Sequence, residues 1–223
     1  GAGLGGAIFN HFGVMTLHNV TFTHNQAIAG SGGVGSPRAR GLGGAVFNLN
    51  GELSIDQATF ADNAADAGGA LYSLGFNGDL TTGSRDAQVS ILRSVFANNG
   101  PGGEIGNALP GLPRGNPNLA SEILTVNGSL VEDPTGAVVP IGSSLDNLLG
   151  VDPQLGVLQD NGGLSETRQP ELDSVVIDAV DCASPSPGTD QRGIARPQGM
   201  RCDMGAVEVS EPSDVLFANG FEA

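Results

Sequence analysis

The chain has 223 residues, including 36 glycines and 13 prolines; nine arginines, no lysine and 24 acidic residues give a formal net charge of −15. This acidity argues against nucleic acid and anionic membrane surfaces as partners, and the apolar content of 39 % argues against bulk disorder. The glycines lack the three-residue period of collagen, and no run of 18 apolar residues occurs, so we expect no membrane span.

An internal repeat dominates the first hundred residues. Three segments, which begin at Gly5, Gly43 and Gly68, open with Gly-Gly-Ala and an aliphatic residue and end with Phe-x-x-Asn. Short runs of alternating apolar and polar residues, broken by Gly, Asn and Asp, indicate strands joined by tight turns. The second and third openings lie 25 residues apart, a period that is too short for a propeller blade and fits one coil of a three-sided solenoid.

Equivalent residues of successive coils should lie above one another, about 4.8 Å apart. A carboxamide both donates and accepts, so stacked asparagines can form a ladder, and paired glycines suit a corner that needs positive φ and leaves no room for a side chain. The predicted structural residues are an internal aromatic column of Phe22, Phe60 and Phe96, a corner ladder of Asn25, Asn63 and Asn99, and the glycine pairs Gly5, Gly6, Gly43, Gly44, Gly68 and Gly69.

The paired Gly-Gly-Ala-Ile and Phe-x-x-Asn motifs resemble those of the chlamydial polymorphic outer-membrane proteins and related bacterial surface proteins, which belong to the pectin-lyase-like β-helix superfamily. The resemblance covers about residues 1–100. We therefore predict an all-β fold, a right-handed parallel β-helix (a three-sided solenoid) with an irregular C-terminal capping region, from a protein that is secreted or lies on the outer cell surface.

The chain divides into three parts. We place the coils in residues 1–147, with inserted loops at about 30–42, 75–86 and 101–121, the last of which is rich in Pro and Gly. The blocks "GVDPQLGVLQDNGG", "TDQRGIARPQG" and "CDMGAVE" within residues 148–210 resemble the choice-of-anchor Q domain, which ends bacterial secreted β-helix proteins. Residues 211–223 form a tail that resembles a short ending of secreted proteins in some gammaproteobacteria.

The C-terminal region contains two further features. Cys182 and Cys202 flank a Pro/Gly-rich stretch and are the only cysteines, so we expect a structural disulfide and an oxidising compartment; two free buried thiols are the alternative. Arg192, Asp203 and Glu208 are expected to form a buried arginine–carboxylate pairing that pins the capping segment to the last coil. The alternative interpretation of these three residues is a calcium or ligand site.

No residue is assigned as catalytic or as a metal ligand. Carboxylates and arginines of the second and third repeats would have to converge in a groove to act on a polysaccharide: Asp56, Asp62, Asp66, Arg85 and Arg93. Strand alternation does not place all three histidines together: His11, His18 and His24. No cofactor is expected, apart from Ca²⁺ at acidic turns.

The first hypothesis is a non-enzymatic extracellular structural protein used for adhesion, for a matrix or as a self-assembling scaffold. The alternatives are a carbohydrate-active enzyme and a module that binds carbohydrate or cations on the same scaffold. A groove with converging Asp and Arg would favour the enzyme, and a flat, ladder-covered face would favour the scaffold. The expected partners are a polysaccharide, a host or cell surface, or a second copy stacked end to end, because Gly1 already lies within repeat sequence and solenoid ends expose unpaired strands.

Overall fold

The computed structural model describes residues 1–31, 39–76, 86–107, 122–136, 146–182 and 188–210. Within these ranges the chain forms strands, turns and one short 3-10 helix, Pro134–Gly136, and it contains no α-helix. The prediction of an all-β chain is confirmed. In the same ranges, no helix has the length and apolar character needed to traverse a bilayer.

The strands follow the repeats. The first repeat contains β1 (Gly3–Leu4), β2 (Ile8–His11), β3 (Val14–His18) and β4 (Thr21–Thr23), and the second contains β5 (Gly41–Leu42), β6 (Val46–Leu49), β7 (Glu52–Asp56) and β8 (Thr59–Ala61). The third contains β9 (Leu71–Leu74), β10 (Ala87–Leu92) and β11 (Val95–Ala97), and the fourth contains β12 (Ile105–Gly106), β13 (Glu122–Asn127) and β14 (Leu130–Val131). They are followed by β15 (Leu148–Leu149), β16 (Leu155–Gln159) and β17 (Thr167–Pro170).

Each repeat contributes one strand to each of three parallel sheets. Sheet 1 consists of β2, β6, β9 and β12, sheet 2 of β3, β7, β10 and β13, and sheet 3 of β4, β8, β11, β14 and β15. The strands pair in parallel and in register, so that Phe22, Phe60 and Phe96 occupy equivalent positions of sheet 3. Only β16 and β17 pair in an antiparallel manner among the described strands. The repeats thus stack in register, as their alignment predicts.

The corners between sheets are formed by single residues in the left-handed backbone conformation. Between sheets 2 and 3, Asn19, Gln57 and Arg93 have φ angles of 47°, 49° and 45°, and Gly128 has the same conformation in the fourth repeat with φ 54°. Such a residue turns the chain sharply between two extended segments. Because the same position is used in every repeat, the following strands stay in register.

The glycine pairs form another corner, and its two residues have different roles. The first glycine of each pair has positive φ (62° at Gly5, 66° at Gly43 and 58° at Gly68). Both glycines lack space: a Cβ on Gly43 would collide with the backbone oxygen of Val46, and one on Gly44 with that of Gly69. Positive φ therefore applies to the first glycine of each pair, and the lack of space applies to both.

The main core lies between the three sheets. Along β7, Leu53 and Ile55 face inward and are buried, whereas Glu52 and Ser54 face outward and are exposed. The inward residues of the other strands complete one continuous apolar cluster: Val46, Phe60, Leu71, Val89, Ile91, Phe96, Ile105 and Val126. The period-2 alternation in the sequence therefore determines which side chains form the core.

The structure adds a fourth copy of the opening motif that the sequence analysis assigned to a loop. Gly102, Gly103 and Ile105 take the places of the Gly-Gly and aliphatic residues, and β12 pairs in parallel with β9. The predicted loop at 101–121 is therefore wrong for residues 102–107, and the predicted loop at 30–42 is wrong for β5. Residues 32–38, 77–85 and 108–121 lie outside the described residues.

The C-terminal region lies along the side of the repeats. We call residues 150–182 and 188–210 the C-terminal cover. The outward residues of sheet 3 include Val95 and Leu130, and they pack against Val176, Val180 and Met204 of the cover. The cover thereby removes the outward side chains of Val95 and Leu130 from water.

The C-terminal cover also reaches the first repeat. Asn19 Nδ2 donates to the backbone oxygen of Thr189 over 2.6 Å, and Thr21 Oγ1 donates to Gln191 Oε1 over 2.7 Å. The cover packs on the fourth repeat at Leu130, but it is not confined to the last coil as predicted, because it also contacts the first repeat. Residues 211–223, the predicted tail, lie outside the described residues.

Candidate functional site

The aromatic column and the asparagine ladder lie side by side. The ring centroids of Phe22 and Phe60 are 4.8 Å apart and those of Phe60 and Phe96 are 4.6 Å apart, with nearly parallel planes. Phe60 and Phe96 are fully buried. This arrangement is a stacking column inside the core, so Phe60 and Phe96 stabilise the repeat and are inaccessible to a ligand.

In the ladder, each rung donates twice to the next. Asn25 Nδ2 and Asn63 Oδ1 are 2.9 Å apart, and Asn63 Nδ2 and Asn99 Oδ1 are 2.7 Å apart; the backbone N–H of each donor residue binds the same oxygen. The ladder continues to Glu104, whose two carboxylate oxygens accept from the backbone N–H and the Nδ2 of Asn99. Glu104 thus supplies the acceptor for the last rung, because Pro134 stands where the fourth asparagine would be.

Among the acids of the described residues, Glu104 has a strongly raised pKa. Glutamate is unexpected at this position, because the other repeats have alanine there in the Gly-Gly-Ala motif, and no role was predicted for Glu104. Burial raises the pKa of Glu104 from 4.5 to about 8, against the hydrogen bonds from Asn99, which lower it, and nearby Glu132 and Asp133 raise it further. At neutral pH the carboxyl group is therefore mostly protonated.

A second ladder, also missed from sequence, lies at the end of sheet 1. Asn10 Nδ2 donates to Asn48 Oδ1 over 2.8 Å, and Asn48 Nδ2 donates to Ser73 Oγ over 3.2 Å. The same amide groups also bind the backbone oxygens of Gly13 and Gly51. The signal was the Phe-Asn dipeptide that follows Gly-Gly-Ala and an aliphatic residue in the first two repeats.

The predicted disulfide is confirmed, since Cys182 and Cys202 are bonded. The predicted charged pairing needs a correction. The side chain of Arg192 binds the carboxylate of Asp190, with Nη2 2.8 Å from Oδ2, and reaches Glu208 only through its backbone oxygen. Arg192 therefore forms an ion pair within the C-terminal cover, as predicted, but its carboxylate partner is Asp190 and not Asp203 or Glu208.

The buried ion pair is formed by Arg196, which sequence reasoning missed. Its Nη1 lies 2.8 Å from Glu208 Oε2, and both side chains are inaccessible to solvent. Asp203 accepts from the backbone N–H groups of Asp178 and Val209, and burial, opposed by these bonds, raises its pKa to about 6. These contacts join residues that all belong to the cover and so stabilise its own fold, as expected of a structural cluster.

The candidate catalytic carboxylates have separate partners at separate turns. Asp56 forms two hydrogen bonds with Arg93, at 2.9 and 2.6 Å, and lies 3.7 Å from His18. The other acids are engaged elsewhere: Asp62 binds Arg168 and is 4.0 Å from His24, while Asp66 accepts from the backbone N–H of Gly41. Arg85 lies outside the described residues.

The histidines are also separated by these contacts: His18 and His24 belong to different pairs, and the His11 ring stacks on Phe9. Across the described part of the chain, no group of three or more His, Cys, Asp or Glu residues could hold a metal ion.

The outward surface of sheet 2 contains two adjoining cavities. One, of about 360 Å³, lies at the corner between sheets 1 and 2 and is lined by Phe12, Gly13, Val14, Asn50, Gly51, Glu52, Asp86 and Gln88. The other, of about 160 Å³, is lined by Glu52, Leu53, Ser54, Gln88, Val89, Ser90, Ile123 and Thr125. We call the two together the sheet-2 groove, because they share Glu52 and Gln88.

A larger cavity of about 500 Å³ lies beside the asparagine ladder. Its lining is mainly alanine, with Gln26, Ile28, Asp66 and Pro101 as the larger side chains. Comparison of the chain with protein-family models, with curated proteins and with solved structures finds no match.

Proposed function

We propose that this chain is a right-handed parallel β-helix of the pectin-lyase-like type that serves as an extracellular structural scaffold of a bacterium. The observation that carries the proposal is the in-register parallel stacking of one strand per repeat in each of three sheets. A chain that visits three sheets in turn and returns one rung further along builds an elongated body. Its length grows with repeat number, which suits adhesion, display or matrix formation.

Two further features support a location outside the cell. The Cys182–Cys202 bond forms and persists in oxidising compartments. The net charge of −15 without lysine gives a solvated surface that repels other anionic polymers. The motif resemblances to the polymorphic outer-membrane proteins and to the choice-of-anchor Q domain support the same location.

Antibody labelling of intact source cells tests the location. Antibodies are preferred to amine-directed surface labels, because a chain without lysine reacts poorly with such labels. We expect labelling without permeabilisation, or recovery of the chain from the medium in disulfide-bonded form. Labelling only after permeabilisation would contradict the proposal. Cells that lack the chain should lose surface attachment and regain it with the wild-type chain.

The enzyme alternative is distinguished by an activity assay. Release of unsaturated or reducing ends from acidic polysaccharides by the purified chain would overturn the scaffold proposal.

The scaffold proposal includes end-to-end self-association. The same in-register parallel pairing that joins successive repeats within the chain can join the strands of two copies of the chain. Sedimentation at increasing concentration should show growth into oligomers, and a constant monomer would contradict this part of the proposal.

A further inference from the structure

We propose that the cavity of about 500 Å³ beside the asparagine ladder binds an aliphatic primary amine, with the carboxylate of Asp66 as the partner of its ammonium group. We call this cavity the ladder-side cavity. The amine is a free diamine or the side chain of a lysine from another molecule, since both carry the same cation on an unbranched carbon chain. This binding activity goes beyond the scaffold role, and it depends on one cavity and not on where the protein is located.

The ladder-side cavity is part of the repeat architecture. Its lining comes from the segments that follow the ladder asparagines of the first three repeats. These segments pair in parallel, Gln26 with Ala64 and Ala64 with Gly100, so their spacing is set by the same pairing that stacks the repeats. Small-molecule sites have volumes of about 300–1,000 Å³. The cavity therefore has both the size and the fixed walls that a small ligand requires.

The walls suit the carbon chain of an amine. Most of the lining side chains are methyl groups of alanine, and Ile28 and Pro101 add larger apolar surfaces. Ile28 is 74 % exposed, so a bound carbon chain would remove apolar surface of both molecules from water. No aromatic ring is present among the described residues that line the cavity. The site therefore favours an aliphatic ammonium over a guanidinium or an aromatic amine, which gain from stacking on rings.

Asp66 supplies the charge that recognises the ammonium group. Its Oδ2 accepts from the backbone N–H of Gly41 over 2.8 Å, which orients the carboxylate at the cavity. An ionised carboxylate has about four acceptor positions, and this bond uses one of them. Arg40, which precedes Gly41 in the chain, is exposed and is not among the lining residues, and no basic residue is among those that the structure describes there. An ammonium group in the cavity therefore gains a charge-assisted hydrogen bond to Asp66.

The charge of the whole chain favours the same class of ligand. The net charge of −15 raises the concentration of cations near the surface and repels anions. The chain contains no lysine, so an ammonium group on a long carbon chain has to come from another molecule. Because any cation is attracted to such a surface, the test must separate binding in the cavity from general attraction.

Titration calorimetry of the purified chain with cadaverine, an aliphatic diamine, and with Nα-acetyl-lysine N-methylamide tests the inference. Sodium chloride keeps the ionic strength equal in all titrations. We expect saturable binding of at least one of the two amines and no binding of 1-pentanol, which has a similar carbon chain without the charge. The more tightly bound amine identifies the source, a free diamine or a lysine side chain.

The Asp66→Asn variant removes the charge and keeps an acceptor for the N–H of Gly41, so it should bind the amine about fivefold more weakly, as expected for an ion pair that solvent can reach. Asp160→Asn is the matched control. Asp160 is exposed and its Oδ1 also accepts from a glycine, the backbone N–H of Gly162, over 2.9 Å. This variant has the same net charge as Asp66→Asn and should bind as the wild type does.

A second variant keeps the test informative if Asp66→Asn is unstable. Ala29 is half-buried and lines the cavity, so Ala29→Leu should fill part of it and weaken amine binding with no change in charge. Failure of the wild type to bind either amine overturns the inference, as does equal binding by the wild type, Asp66→Asn and Ala29→Leu with unchanged melting temperatures. Either result leaves the scaffold proposal standing, because that proposal is tested by location and attachment.

Discussion

The carboxyl group of Glu104 makes the stability of the protein depend on pH in an unusual direction. Its pKa rises from 4.5 to about 8 in the folded state, chiefly because of burial. The folded chain therefore holds a proton that the unfolded chain has released between these pH values. The stabilising contribution is complete below about pH 4.5 and disappears as the pH rises through about 8. The difference corresponds to about 5 kcal/mol at most, at about 1.4 kcal/mol per pKa unit.

The Glu104→Gln variant removes this proton and keeps most of the side-chain shape. Urea unfolding of both proteins should show that the free energy of unfolding of the wild type, minus that of the variant, falls by about 3 kcal/mol between about pH 5.5 and about pH 7.5. The comparison with a variant is necessary because Asp203, with a pKa raised to about 6, titrates in the same range in both proteins. Glu166→Gln, which removes an exposed carboxylate, serves as the control and should behave as the wild type does. A parallel pH dependence in wild type and Glu104→Gln would refute the reasoning.

Three other changes test the remaining structural contacts by the same unfolding measurement. Phe60→Ala should cost about 3–5 kcal/mol, and Phe22→Ala should cost less, because Phe22 is half-buried at the edge of the column; equal costs would contradict the stacked arrangement. Arg196→Leu should cost about 3–5 kcal/mol by leaving Glu208 buried without its partner, whereas Arg201→Ala, which removes a largely exposed pair, should change stability by less than about 1 kcal/mol. Reduction of the disulfide, which closes a loop with a sequence separation of 20, should cost about 3 kcal/mol, and an unchanged midpoint would show that the bond adds nothing.

The sequence predicted the register of the repeats because the repeated residues are nearly identical. Phe60 and Asn63 recur at a fixed spacing, and parallel pairing of equal strands brings such residues directly above one another. The opening motif of the fourth repeat escaped detection because its residues have changed while its backbone has not. Glu104 replaces alanine, and Val131 pairs with Phe96 in place of a phenylalanine. Gly102 keeps the positive φ angle of the first glycine of the opening motif. Two glycines are, however, a weak signal within a stretch that is rich in Pro and Gly.

The position of the C-terminal cover was not predictable from periodicity, because its contacts join residues far apart in the chain. One signal was present. The outward residue of sheet 3 is threonine in the first two repeats, at Thr21 and Thr59, and becomes apolar at Val95 and Leu130. An outward column that turns apolar requires a covering element. The ion pair was misassigned because Arg192 and Arg196 lie four residues apart in one loop, and only the folded chain determines which carboxylate each one meets.

The C-terminal cover changes how the stacked repeats should lose their structure. In a solenoid held together only by nearest neighbours, a terminal coil can fray while the rest persists, and unfolding broadens into many partial steps. Here the hydrogen bond from Asn19 to Thr189 joins residues 170 positions apart, and the cover spans the coils in between. Fraying of the first repeat must therefore break contacts with Thr189 and Gln191 of the C-terminal cover. We expect a single cooperative unfolding transition. We also expect slow refolding, because the chain must close this long loop before the stabilising contacts between the cover and the first repeat can form.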